Sequence, residues 1–484
     1  MVKFFKNNLF FHVTISFVVI LAGCATAHKQ DVKAEQPEQS KKLPPCKAAA
    51  AQAYQAKNVY SLYVNSSGNL VDTKNNRISD TGKYLDAIFE NYNKLVRLDN
   101  RIELVLFIHG GLNESQDVDE RVKSLWKPML EDCRYPLFVS WRSGMLGNYS
   151  DHLLFLRQGV YSSSTSLIPQ NFDDLTALIK GPIASTFVLV EDILRGISRI
   201  PASTYKVLVD NNYDIAQRLL HGADRYRRFH DTNTYRYDRV NDINYHSRAS
   251  DEGLTALDVW SIGNPLKLAA APFGDSFGTG AWSSMLRRTD FVLAKDEQFN
   301  GHGDNPTAVT QFVDRWSKNY PTQKIILIGH SMGTIIANKL IAKFHEVEFS
   351  PIVYMAAACS LSDIEQIVSP YLWHKYTREF YNLSLSPTRD EMENMSGFDF
   401  VSRGSLLVWI DNVFGSINSF DDRTAGYWPN ITKVAARLFP KEIRKQVHLT
   451  KFGVADESSP QNHGDFDNFP FWDKKFWKAE YVKN

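Results

Sequence analysis

Lys324-Ile325-Ile326-Leu327-Ile328-Gly329-His330-Ser331-Met332-Gly333-Thr334 decides how this chain is read. Four aliphatic residues run straight into Gly-His-Ser-Met-Gly. A helical pattern follows at once, with Ile336, Leu340 and Phe344 on one stripe and Ala337 and Ile341 beside it. That is strand, sharp turn, helix, the context in which a G-x-S-x-G serine stands at the apex of a strained turn. Gly329 and Gly333 carry no Cβ, so strand and helix can approach closely around Ser331. The Met332 N–H then lies near a helix N-terminus, where a developing oxyanion is favoured.

On these residues the chain resembles the α/β-hydrolase superfamily, the serine esterases and lipases in particular. The resemblance runs from about Tyr54 to the C-terminus, except for a long insertion. It implies an α/β fold, with a mostly parallel central sheet flanked by helices and a Ser–His–acid triad.

The totals fit that class. With 484 residues and 43% hydrophobic content, the chain can bury a large core. The net charge of +1 argues against a nucleic-acid or polyanion binder. No zinc-ligand spacing is present, and no metal or organic cofactor is expected. The four cysteines are Cys24, Cys46, Cys133 and Cys359. If Cys24 is modified, at most one disulfide forms among the other three, and the pair stays open.

Residues 1–23 read as a signal segment. Lys3 and Lys6 precede a short apolar run from Leu9 to Ala22, which ends in Leu21-Ala22-Gly23-Cys24. This resembles a bacterial lipobox and implies a diacylglycerol on Cys24, with a membrane helix as the alternative. Ala25 after the cysteine is compatible with the outer membrane, facing the periplasm, if the source is Gram-negative. The stretch from residue 24 to 50 is Lys/Gln/Glu/Pro-rich and reads as a solvated tether to a domain spanning 51–484.

In the domain, Tyr60, Leu62 and Val64 alternate before a Ser66-Ser67-Gly68-Asn69 turn, which predicts a hairpin. Leu85, Ile88, Phe89, Tyr92 and Val96 have helical spacing. Ile102 to Ile108 then runs into His109-Gly110-Gly111-Leu112. In the hydrolases this resembles, that loop supplies the second oxyanion N–H, here from Gly111 or Leu112. His109 reads as a structural histidine under the loop. A helix through Val118, Val122, Leu125 and Met129 and a strand from Tyr135 to Trp141 follow.

From about 144 to 304 the strand–helix alternation stops, which predicts a largely helical cap placed before the elbow strand. Ile183, Phe187, Val190, Leu194 and Ile197 share a helical stripe, expected to pack on the cap's own core. Asn305 and Pro306 look like the N-cap and first position of the next helix. After the elbow, strands are expected at Pro351–Cys359, Leu406–Ile410 and Val447–Phe452, with an aromatic closing segment from Phe466.

A serine needs a neutral imidazole, and that imidazole needs an orienting carboxylate. In this fold the order along the chain is Ser, acid, His. The last loop offers His463, in Gln461-Asn462-His463-Gly464-Asp465. The family's acid follows the strand two after the elbow strand. Taken as Ser405–Ile410, that strand points to Asp411, with Asp422, Asp421 and Asp363 as alternatives. The expectation is a membrane-anchored hydrolase of lipid or other acyl esters. Acyl transfer through the same triad and a non-catalytic envelope scaffold are the alternatives.

Overall fold

Unbroken apolar runs make the centre of this molecule a sheet covered on both faces. A computed structural model describes residues 45–53, 59–65, 68–74, 76–110, 115–141, 189–205, 240–249, 265–294, 306–393, 404–415, 417–453 and 458–480. Its strands are β1 (Ser61–Val64), β2 (Leu70–Val71), β3 (Glu103–Ile108), β4 (Arg134–Trp141), β5 (Asn244–Ala249), β6 (Ile325–His330), β7 (Phe349–Met355), β8 (Phe380–Leu385) and β9 (Val447–Gly453). They form one sheet in the order β2-β1-β4-β3-β6-β7-β8-β9-β5. Only the β1–β2 pair is antiparallel. In β3 and β6 nearly every side chain is buried, with no inside–outside alternation, as a parallel sheet flanked by helices requires.

The helices that matter here are α1 (Pro45–Ala51), α2 (Thr81–Leu98), α3 (Ser115–Glu131), α4 (Pro265–Phe291), α5 (Ala308–Asn319) and α6 (Gly333–Lys343). Asp80 caps α2 by accepting the Lys83 N–H. The expected stripe of α2 is buried at Leu85, Ile88, Phe89 and Tyr92. It meets the stripe of α5, with Phe89 stacked on Phe312 at 5.1 Å and Tyr92 edge-on to Trp316 at 5.1 Å. The N-cap of α5 is Thr307, which accepts the Thr310 N–H, two residues later than Asn305. Its hydroxyl also donates to Val292 O, so tertiary contact fixes the start of this helix.

Order begins earlier than composition suggests. The stretch expected to be tether through residue 50 ends in α1, where Cys46, Ala49 and Ala50 are buried. Cys46 is bonded to Cys133, in the turn between α3 and β4, while Cys359 is a free buried thiol. At the other end the aromatic tail closes the fold as expected. Phe471 packs on Phe107 of β3 with ring centres 4.5 Å apart, and Trp477 is buried.

Three expectations are corrected. Leu406–Trp409 is α-helical and continues as a π-helix over Ile410–Phe414, so Ser405–Ile410 is not a strand. A five-residue apolar run has too few residues to separate a buried helix from a buried strand. The true strand is β8, whose Asn382 and Ser384 hide it from an apolar count. Both are fully buried, and Asn382 Nδ2 donates to Ser384 Oγ and to Ala425 O. Second, the 144–304 segment is not wholly outside the sheet, because its β5 pairs in parallel with β9 from Asn244 to Ala249. Polar residues such as Asn244, His246 and Arg248 suit an edge strand but mask it in sequence. Third, the cap stripe is not packed inward. Val190, Leu194 and Ile197 are about half exposed, whereas Asp192 on the same helical segment is fully buried. Ile183 and Phe187 lie outside the described residues.

Candidate active site

β6 occupies the middle of the sheet, and the chain leaves it in opposite directions on its two sides. β3 leads outward through β4, and β6 leads outward through β7, β8 and β9. At such a reversal the crevice beyond the carboxyl ends of the strands is open to ligands. Ser331 follows β6, Gly110 follows β3, and His463 follows β9.

Ser331 is held in the left-handed region at φ +50°. That conformation is costly for a residue with a Cβ, and the surroundings enforce it. Ser331 N donates to Met355 O, while Ser331 O accepts from Thr334 N, Thr334 Oγ1 and Ala358 N. Gly333 has no room for a side chain, since a Cβ there would sit 2.1 Å from Ile108 O. Gly110 is equally confined: a Cβ would lie 2.8 Å from the Ser331 Cβ. The glycine turn after β3 is thus pressed against the serine. Met332 stands at the N-terminus of α6. Gly111 and Leu112 lie outside the described residues.

His463 opens a 3-10 helix spanning His463–Asn468. Its Nε2 lies 2.8 Å from Ser331 Oγ. With the serine as donor, Nε2 is unprotonated and the ring proton resides on Nδ1. Burial holds the imidazole neutral, with its pKa lowered to about 3; nearby His330 lowers it further, and Asp467 opposes. A serine hydroxyl donating to a neutral imidazole is a nucleophile paired with its base.

Asp411 is not brought to this histidine. Its carboxylate accepts from Thr424 N, Thr424 Oγ1 and Asn430 Nδ2, and so pins the π-helix to the loop before Trp428. The alternatives are occupied as well. Asp363 accepts Ser360 N in a capping box, Asp422 accepts Ser419 N in another, and Asp421 pairs with Arg437.

Nδ1 of His463 is buried without a hydrogen-bond partner among the described residues. Glu393 touches the same residue through its main chain, its Oε2 accepting the backbone N–H of His463 at 2.8 Å, and Asp467 is the carboxylate whose charge acts on the ring. Glu393 follows β8, the strand two beyond β6 in sheet order. The buried Asp390 follows the same strand. Burial raises the pKa of Glu393 to about 7, opposed by the His463 N–H.

His109 is structural, as expected. Its Nε2 accepts Trp141 N–H, its Nδ1 donates to Gly110 O, and its ring stacks on Trp141. Burial lowers its pKa to about 4. Sequence reasoning missed Glu393, and also Asp467, which lies one helical turn beyond His463 but belongs to no motif. Cys24 lies outside the described residues. No known family model, curated protein or solved structure matches the chain.

Proposed function

We propose that this chain is a serine hydrolase of the α/β-hydrolase type that cleaves carboxylic esters through an acyl-enzyme. The observation that carries the reading is Ser331, at φ +50° beyond the middle strand, with its hydroxyl 2.8 Å from His463 Nε2. Ser331 attacks the ester carbonyl while His463 takes its proton. Met332 N–H and an N–H from the loop after Gly110 stabilise the oxyanion. The imidazolium returns the proton to the leaving alcohol, and water then attacks the acyl-enzyme. Glu393, which already accepts the backbone N–H of His463, is the candidate for the acid that steadies the imidazolium. These steps need no metal or organic cofactor.

Lipid attachment at Cys24, or an N-terminal membrane helix in its place, would hold the domain at a membrane and favour lipid or other acyl-ester substrates. The Cys46–Cys133 disulfide supports an envelope location, because such bonds persist in oxidising compartments. Acyl transfer to a second alcohol would use the same Ser331–His463 pair, with the alcohol in place of water.

The test is to incubate the purified chain with a fluorophosphonate probe and map the modified residue by mass spectrometry. Labelling at Ser331, lost in His463→Ala, is expected. A folded chain that remains unlabelled in both detergent and lipid vesicles would sink the reading. Turnover of an ester with and without added alcohol separates hydrolysis from transfer.

A further inference from the structure

Beyond the Ser331–His463 pair lies a second buried set of polar side chains. His330, immediately before the nucleophile, does not face the substrate crevice alone. Its Nε2 is 2.9 Å from the backbone carbonyl oxygen of His463, and its Nδ1 is 3.3 Å from Asp467 Oδ1. Both His330 and Asp467 are almost wholly buried. The other oxygen of Asp467 is 2.7 Å from Nη1 of Arg121, on α3. A carbonyl oxygen can only accept, so His330 Nε2 carries a proton and donates to His463 O.

We propose that His330, oriented by Asp467, is a positioning residue that sets the place of the His463 backbone, and through it the distance from Nε2 to Ser331 Oγ. This rests on the serine-hydrolase reading of the site. Nδ1 of His463 has no partner among the described residues, so apart from the Ser331 contact the ring is held through the main chain. Glu393 holds the N–H of that residue and His330 holds its C=O. The clamp also joins separate parts of the site. His330 belongs to the elbow and Asp467 to the helix of the catalytic histidine. Arg121 belongs to the helix that follows the glycine loop.

The charges agree with this arrangement. Burial alone would raise the pKa of Asp467. The neighbouring His330 and then Arg121 reverse that and hold it well below the usual carboxylate range. Asp467 therefore stays ionised. The other titratable groups facing this set are His109 and His463, each with its pKa lowered by burial.

The experiment compares His330→Gln with His330→Phe in the full chain, with thermal melting to establish folding. Gln keeps a donor for the His463 carbonyl, and Phe keeps the volume but no donor. Displacing a catalytic group by about 1 Å costs on the order of 100-fold in rate. The expected result is a kcat for ester hydrolysis that falls about 10- to 100-fold in His330→Phe with KM unchanged. His330→Gln retains kcat within about fivefold, and this difference is what a packing role would not produce. Asp467→Asn should lower kcat in the wild-type background and have little further effect in His330→Phe, because it acts through His330. Two folded His330 variants with equal kcat, whether wild-type or reduced, would overturn the proposal. If the wild type itself neither labels at Ser331 nor turns over ester, the functional reading fails first and the positioning role falls with it. If His330→Phe does not fold, His330→Leu, which also lacks a donor, replaces it in both comparisons, and His330→Asn replaces a His330→Gln that does not fold.

Discussion

Glu393 accepts the backbone N–H of His463 at 2.8 Å across 70 residues of chain. Glu393 thus touches the main chain of His463 while Asp411 is bonded to Thr424 and Asn430, which makes the two carboxylate candidates separable by mutation. Glu393→Gln should lower kcat about 100-fold or more while leaving the fold intact. Asp411→Ala should leave kcat of the folded protein nearly unchanged, but strands three buried donors and costs about 1–3 kcal/mol of stability. Steady-state kinetics beside thermal melts check both. A Glu393→Gln enzyme with full activity removes it as the acid.

The pH dependence follows from the same two groups. His463 must be neutral to accept the serine proton, and burial lowers its pKa to about 3, so it stays competent through mildly acidic pH. Glu393 must be ionised to stabilise the imidazolium, and burial raises its pKa to about 7. The value of kcat/KM should therefore rise as pH increases through about 7 and flatten above it. Glu393→Gln should lose this limb along with most of its rate. A wild-type profile that is flat from pH 5 to 8 would contradict the assignment.

Gly333 and Gly110 set how closely strand ends and helix can meet. Gly333→Ala drives a Cβ to 2.1 Å from Ile108 O, a clash with backbone that no side-chain movement relieves. It should cost about 1–3 kcal/mol or prevent folding. Gly110→Ala presses instead on Ser331 itself, so the expected damage is to the rate more than to the melting temperature. Comparing fluorophosphonate labelling rates with melting curves distinguishes the two effects.

The Cys46–Cys133 bond closes a loop of 87 residues and anchors α1 to the fold. A loop of that length corresponds to about 4–5 kcal/mol of unfolded-chain entropy. Replacing both cysteines with serine should lower the melting temperature markedly, as should reduction. Labelling at Ser331 should persist below the new transition, because neither cysteine touches the site.

Much of this was legible in the sequence where one local pattern does one job. The run into Gly-His-Ser-Met-Gly specifies strand, turn and helix together, and Ser331 and His463 meet as that reading requires. The helical stripes of α2 and α5 were legible for the same reason, because each buries one face. What failed was the segment where burial and apolarity part company. Asn382 and Ser384 are fully buried yet polar, with Asn382 Nδ2 donating to Ser384 Oγ and to Ala425 O. Leu406 to Ile410 is apolar yet helical. Exchanging those two segments moved the expected acid from the neighbourhood of Glu393 to Asp411. The His330–Asp467–Arg121 contacts were not legible at all, because they join three elements through space and no periodicity records them.

β5 has a consequence for any attempt to treat the cap as a removable part. Its six residues come from the middle of the 144–304 segment and form the outermost strand beside β9, whose far end leads to His463. His246 of β5 and His448 of β9 face each other with ring nitrogens 3.1 Å apart. Deleting the whole segment would expose the backbone edge of β9 along the strand that delivers the catalytic histidine. A bare parallel edge of this kind invites pairing with another chain. Residues 244–249 are therefore part of the sheet, and a version of the protein lacking them is expected to aggregate more than one that keeps them.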